Sequence, residues 1–136
     1  MPTAQQRMIL LSVRPQYASK LVTGQKTAEL RRSRPSLETP FTALVYSSAP
    51  VKRVVGAIRV VTVVSSSPEL IWRKYREALC VSASEFSAYA GAARTLCCWV
   101  IDKALPFDAP RALSDERPPR SFRYISADHP LSRSTL

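Results

Sequence analysis

A chain of 136 residues, 46% of them apolar, is the size of one domain with one core. No stretch approaches the roughly 18–20 uncharged apolar residues of a membrane span, and the apolar run at 8–13 falls short of the roughly 7–15 residues of a signal-peptide core. A cytoplasmic protein with no membrane partner is therefore expected. The net charge of +10 rests on twenty cations, fifteen of them arginine. Arginine contacts phosphate in two-pronged fashion and stacks on bases, so nucleic acid is the expected partner, with RNA favoured because helix-turn-helix signals are missing.

The first expected element is a strand at 7–13. Pro15 then suits the opening turn of a short helix whose Tyr17, Ala18, Leu21 and Val22 share an apolar face, and Gly24 stops it where a left-handed residue is wanted. Residues 26–32 alternate as a strand, with Lys26, Ala28, Leu30 and Arg32 on one side and Thr27, Glu29 and Arg31 on the other. Pro35 and Pro40 mark a loop. Two strands rich in β-branched residues follow at 41–46 and 51–64, the second bending near Gly56.

The run Ser65-Ser66-Ser67-Pro68-Glu69 opens a helix to about Leu79, burying Ile71, Tyr75, Ala78 and Leu79. Ser82-x-x-Glu85 is a capping box that opens another helix with Phe86 and Tyr89 on one face. A strand is expected at 95–105, ending before Pro106. A proline-rich loop then leads to a last short strand at 122–126.

Five or six short strands with two or three short helices argue for an α+β domain, a small, partly open mixed β-barrel with peripheral helices. Residues 1–7 read as an N-terminal extension, 8–126 as the domain and 127–136 as a disordered tail. Cys80, Cys97 and Cys98 lack disulfide or zinc spacing and read as small buried side chains in a reducing compartment. Trp99 alternates with Cys97 and Ile101 and reads as core, whereas Trp72, beside Arg73 and Lys74, is a candidate for stacking on a base.

Three ordered segments carry a resemblance. Gly24, Lys26, Thr27, Glu29 and Arg31 match the pattern Gly-x-Lys-Thr-x-Glu-Leu-Arg. Tyr46-Ser47-Ser48-Ala49-Pro50-Val51-Lys52-Arg53-Val54-Val55-Gly56 matches a strand pair, and Pro118-Pro119-Arg120-Ser121-Phe122-Arg123-Tyr124 matches a C-terminal ending. Together these resemble the ASCH domain family of the PUA-like barrel superfamily, in a bacterial branch, over nearly the whole chain.

The resemblance implies an RNA-binding cleft between the barrel face and the first helix. It implies two chemistries within the family, ribonuclease and an amidohydrolase acting on N4-acetylcytidine. The amidohydrolase pairs a lysine, here Lys26, with a threonine where this chain has Glu29. Its helical glutamate has only Glu77 or Glu85 as counterpart. Ribonuclease activity on single-stranded RNA is therefore the expected chemistry. The alternatives are a non-catalytic RNA-binding or coactivator-like module and the amidohydrolase.

RNA can supply its own 2′-hydroxyl nucleophile, leaving the protein to hold phosphate and move protons. By analogy to ribonuclease members, Tyr46, Lys52 and Ser121 are the expected catalytic residues. Lys26, Thr27, Glu29, Arg31, Arg32, Ser47, Ser48 and Arg120 are the expected substrate contacts. Each has a structural alternative: Glu29 and Arg31 as an ion pair, Tyr46 as core, Lys52 as a solvated hairpin edge, Ser121 as a loop hydroxyl satisfying backbone groups. No metal site is expected, since only Asp115 and Glu116 bring two carboxylates close, and no cofactor is required on sequence grounds. Divalent-metal dependence and oligomeric state are left open.

Overall fold

The structure, a computed structural model, describes residues 7–113 and 116–132. Residues 1–6 of the expected extension, Asp115 of the acidic pair and residues 133–136 of the expected tail lie outside it. In chain order the elements are β1 (Arg7–Val13), α1 (Pro15–Val22), β2 (Ala28–Arg31), β3 (Phe41–Ser47), β4 (Arg53–Ser66), α2 (Pro68–Leu79), α3 (Ala83–Ala90), β5 (Leu96–Arg111), β6 (Phe122–Ser126) and a 3-10 turn at Pro130–Ser132. The strands form one mixed sheet in the order β2-β5-β4-β3-β1-β6, with β1 parallel to β3 and the other neighbours antiparallel.

The α+β class stands, and the expected partly open barrel is an open sheet that does not close: β2 and β6 are its two edges. The strands at those edges are only four and five residues long. The gap is spanned by side chains instead. Arg31 of β2 donates to the Ser12 carbonyl at 3.1 Å and to Ser121 Oγ at 3.1 Å. Inside the curl, Trp99 of β5 is fully buried edge-to-face between Phe41 and Phe122, with centroids 5.5 and 5.4 Å away. Aromatic pairs favour such edge contacts, and these ones draw β5 toward β6.

Strand alternation sorts the cores. Ile9, Leu11 and Val13 of β1 and Ala43 and Val45 of β3 enter the inner core with Trp99, under α1. Met8, Leu10, Leu44 and Tyr46 face the opposite way into a second cluster with Val54, Ala57 and Leu131. Ala28 and Leu30 of β2 pack outward against Ile71 and Leu79 of α2 and Phe86 of α3. The burial of Leu131, together with Arg111 donating to its carbonyl at 2.7 Å, holds Ala127–Ser132 against the domain where a disordered tail was expected.

Two further boundaries differ from expectation. β5 runs on through Pro106 and Pro110 to Arg111. The reason is that β2 covers only Cys97–Val100. Beyond that point β5 is an edge, where a missing N–H costs no ladder bond. β4 does bend at Gly56, where its register shifts, and the cause is packing: a Cβ there would sit 2.4 Å from the Leu105 carbonyl oxygen and 2.6 Å from Val22 Cγ1. Gly56 is the point at which α1 lies directly on the sheet.

Candidate functional site

A cavity of 650 Å³ opens between α1, α3 and the open end of the sheet. Its buried end is formed by Lys26 and Glu29, which are 2% and 6% exposed. Glu29 faces inward because β2 pairs it with Trp99. Arg31, two residues on and so on the same face, grips one carboxylate oxygen of Glu29 twice, Nε at 3.0 Å and Nη2 at 2.7 Å.

Lys26 departs from the expected alternation. The strand begins only at Ala28, so Lys26 lies in the irregular connection between α1 and β2 and brings its ammonium 3.6 Å from the other oxygen of Glu29. Lys26 Nζ also donates to the carbonyl of Leu79, the last residue of α2. That helix ends with Cys80 in the left-handed conformation at φ 54°, leaving its final carbonyls and the negative end of its dipole to the lysine. Burial lowers the Lys26 pKa, and the neighbouring Glu29 opposes that shift. Because Glu29 keeps two cations on two different oxygens, its buried charge is compensated in the way such charges require.

The side walls are aromatic. α1 contributes Tyr17, and α3 contributes Phe86 and Tyr89 together with Glu85. Tyr17 donates its hydroxyl to Glu85 across the space between the two helices. That bond to an anionic acceptor raises the tyrosine pKa, whereas the Ser82 backbone N–H, the reciprocal half of the capping box, lowers that of Glu85. Arg14, Arg120 and Ser48 stand at the exposed mouth beside Ser12. Neither Arg14 nor Arg120 hydrogen-bonds or ion-pairs with a side chain among the described residues.

Of the expected substrate contacts, Lys26, Glu29, Arg31, Ser48 and Arg120 line this cavity. Thr27, Arg32 and Ser47 do not. Thr27 is exposed and ties its backbone to Ala78 and Ile101. Arg32 reaches away to the Tyr89 carbonyl and stacks 4.6 Å over that ring. Ser47 is buried at the end of β3.

Tyr46, Lys52 and Ser121 are also absent from the lining and occupy its surroundings. The register puts Tyr46 beside Ser12 on one side, and the Ser12 N–H donates to the Ser121 carbonyl on the other at 2.9 Å. The Tyr46 ring is 5% exposed in the second core. Among the described residues Trp99 Nε1 is the one fully buried side-chain polar atom without a partner. Lys52 is exposed, at φ 53° in the turn that follows Ser48. Ser121 Oγ is exposed and accepts the Arg31 bond.

Tyr17, Arg14, Phe86 and Tyr89 escaped the sequence reading as site residues, and Glu85 entered it only as a counterpart of the amidohydrolase glutamate. The capping box revealed α3 and its apolar face, but no local signal says that this face and α1 border one space. Trp72 sits behind the wall, 4.9 Å from Phe86 between centroids, rather than in the cavity. The Cys98 thiol, pushed up to about 12 by burial, is an inert core group. No group of three His, Cys, Asp or Glu side chains that could hold a metal ion occurs among the described residues.

An open, curled mixed sheet with a helix-walled cavity at its edge defines the structural class. The sequence profile of the ASCH domain matches residues 11–111. The chain belongs to the ASCH domain family. It is 28% identical over 80 residues to an ASCH domain-containing ribonuclease of Zymomonas mobilis, a match spanning 59% of this chain and 54% of that one. It is 27% identical over 120 residues to the large ribosomal subunit protein uL22 of Ureaplasma parvum, covering 86% of this chain and 39% of that protein. The chain thus spans about half or less of the length of these relatives. The crystal structure of the Zymomonas mobilis ASCH protein superposes with a TM-score of 0.82 at 22% identity, covering 87% of each chain. Forms of that protein with a tyrosine-to-phenylalanine and a serine-to-alanine substitution match equally well, at a TM-score of 0.82.

Proposed function

We propose that this protein binds single-stranded RNA at the arginine-lined mouth of the cavity and cleaves it there. The observation that carries the reading is the mouth itself, where Arg14 and Arg120 are exposed and, among the described residues, without an acidic partner, in a chain of net charge +10. Unneutralised guanidinium groups around a concave opening favour a phosphate backbone. A single strand is favoured because a duplex hides its base faces from the aromatic walls. The ribonuclease relative supports the same chemistry, and the buried free cysteines suit a reducing, cytoplasmic setting.

Cleavage needs a 2′-oxygen to form a bond to phosphorus while the bond from phosphorus to the 5′-oxygen breaks. The proton leaves the 2′-hydroxyl and another reaches the departing oxygen. Ser121 Oγ and the Tyr46 hydroxyl can relay those protons, and exposed Lys52 can neutralise the charge that develops on the phosphate. Arg31, bonded to Ser121 Oγ, orients that hydroxyl. The serine and tyrosine substitutions in the solved Zymomonas forms involve the same two residue types. An acyl-transfer reaction with a threonine nucleophile fits less well, because Thr27 is outside the cavity lining and position 29 is a carboxylate.

Labelled single-stranded RNA incubated with the protein tests the reading. Cleavage that falls at least a hundredfold in Ser121→Ala, Tyr46→Phe and Lys52→Ala supports it. Binding without cleavage removes the catalytic half and leaves an RNA-binding module. Absence of binding contradicts the whole.

A further inference from the structure

We infer that Glu116 is a positioning residue: clasped between His129 of the C-terminal segment and Arg123 of β6, it sets where Arg120 and Ser121 stand. The inference rests on the RNA reading for what those two residues do, and on geometry alone for how they are placed.

The two carboxylate oxygens of Glu116 have separate partners. Oε2 accepts from Arg123 Nη2 at 2.8 Å, and Oε1 lies 2.6 Å from His129 Nε2. The C-terminal segment fixes which ring nitrogen carries the proton. Nδ1 accepts the Leu131 N–H at 3.1 Å, so Nε2 is the nitrogen that donates to Glu116. His129 is itself held in place: its N–H donates to the Ser126 carbonyl at 3.0 Å, and its carbonyl accepts from the Ser132 hydroxyl at 2.6 Å. Leu131 is buried in the core cluster that contains Tyr46, and Arg111 donates to its carbonyl from the end of β5. A segment pinned at Leu131 thus presents a preset imidazole to Glu116.

Arg123 grips the same loop a second time, since its Nη1 donates to the Arg117 carbonyl. Between Arg117 and Arg120 stand Pro118 and Pro119. Their rings fix φ, and each restricts the residue before it to extended backbone. A stiff spacer therefore joins the gripped end to Arg120, which lines the cavity mouth, and to Ser121. At the far end the Ser121 carbonyl takes the Ser12 N–H at 2.9 Å, and its Oγ accepts from Arg31 at 3.1 Å. Held at both ends, the spacer has one placement; released at Glu116, it keeps only the Ser121 end. The run from Pro118 to Arg123 divides accordingly: the prolines stiffen, Arg120 and Ser121 are carried, and Arg123 holds.

Exposure argues against a purely stabilising role. The side chains of Glu116 and Arg123 are 37% and 34% exposed, and ion pairs in such surroundings add little to stability. What the clasp contributes is placement.

The full chain and its variants are compared on a labelled single-stranded RNA, with amide exchange of the free proteins measured alongside. Glu116→Ala should quicken exchange over 117–121 at least tenfold, with α2 unchanged and the melting temperature close to that of the parent. It should slow cleavage at least tenfold and weaken RNA binding severalfold. In a Ser121→Ala background the cleavage loss should shrink to less than threefold. In an Arg120→Ala background the affinity loss should vanish, because a positioning residue has nothing left to place. Glu116→Gln keeps one acceptor oxygen, and His129→Ala leaves Arg123 as a partner, so both should fall between the parent and Glu116→Ala.

Unchanged exchange over 117–121 in Glu116→Ala overturns the proposal whatever RNA does. Losses of undiminished size in the two substituted backgrounds also overturn it, since Glu116 then acts independently of Ser121 and Arg120. A parent chain that binds RNA without cleaving it sinks the ribonuclease reading, and the affinity comparison then decides the proposal. One that does not bind RNA sinks the RNA reading, and exchange alone decides whether Glu116 places the loop.

Discussion

Lys26, Glu29 and Arg31 show how three charges share one small space without mutual cancellation. Arg31 fixes Glu29 by two hydrogen bonds, while Lys26 stands off at 3.6 Å and relies on a helix C-terminus. The Glu29–Arg31 pairing was legible from the strand spacing, because residues i and i+2 share a face. The approach of Lys26 was not, because it depends on where the strand begins. Gly56 was legible as a bend, yet its partner Val22 is 34 positions away in the sequence and gave no signal. Gly56→Ala is expected to destabilise the protein by about 2–4 kcal/mol, since the backbone carbonyl of Leu105 and the β-branched Val22 have little room to retreat. Urea unfolding measures this, and an unchanged midpoint would show that α1 does not rest directly on β4.

α3 is the element on which the cavity most depends, since it contributes Glu85, Phe86, Ala88 and Tyr89 to the lining. It is a helix of eight residues, too short to persist without tertiary contacts. Its capping box is complete, with Ser82 Oγ accepting from the Glu85 N–H at 3.0 Å and Glu85 accepting from the Ser82 N–H at 2.8 Å. Ser82→Ala should therefore lower global stability by about 1 kcal/mol. Amide exchange should quicken within 83–90 by more than in α2; uniform acceleration across the domain would count against a local role for the cap. Both helix starts were readable from serine, proline and glutamate positions. The length of β5 was not, because the prolines that stop a central strand are tolerated once β2 ends beside it.

For the whole molecule, the sequence supported the class but not the closure. Alternation and turn residues reveal strands, whereas closure depends on whether the two edge strands reach each other, and here Arg31 and the Trp99 contacts bridge what backbone pairing leaves open. The domain should weaken in acid. The His129 hydrogen bond lowers the Glu116 pKa, Arg59 that of Asp102, and the Ser82 backbone that of Glu85. A carboxylate with a depressed folded pKa adds stability above its ordinary value, 4.5 for glutamate and 3.8 for aspartate, and loses it as pH falls toward the folded value. Urea midpoints should thus decline from the ordinary carboxylate range downward, and less steeply in Glu116→Gln; a flat profile would contradict these pairings.

The central claim, that RNA meets the protein through the arginines at the cavity mouth, is tested most directly by the salt dependence of binding. Affinity for a single-stranded oligonucleotide, measured by fluorescence anisotropy over a series of salt concentrations, should fall linearly on logarithmic axes. Each phosphate contact contributes about 0.7 to the slope for single strands. Arg14→Ala combined with Arg120→Ala should reduce the slope by about 1.4 and weaken binding to all sequences alike. An affinity indifferent to salt, or a slope unchanged by the double substitution, would contradict the account.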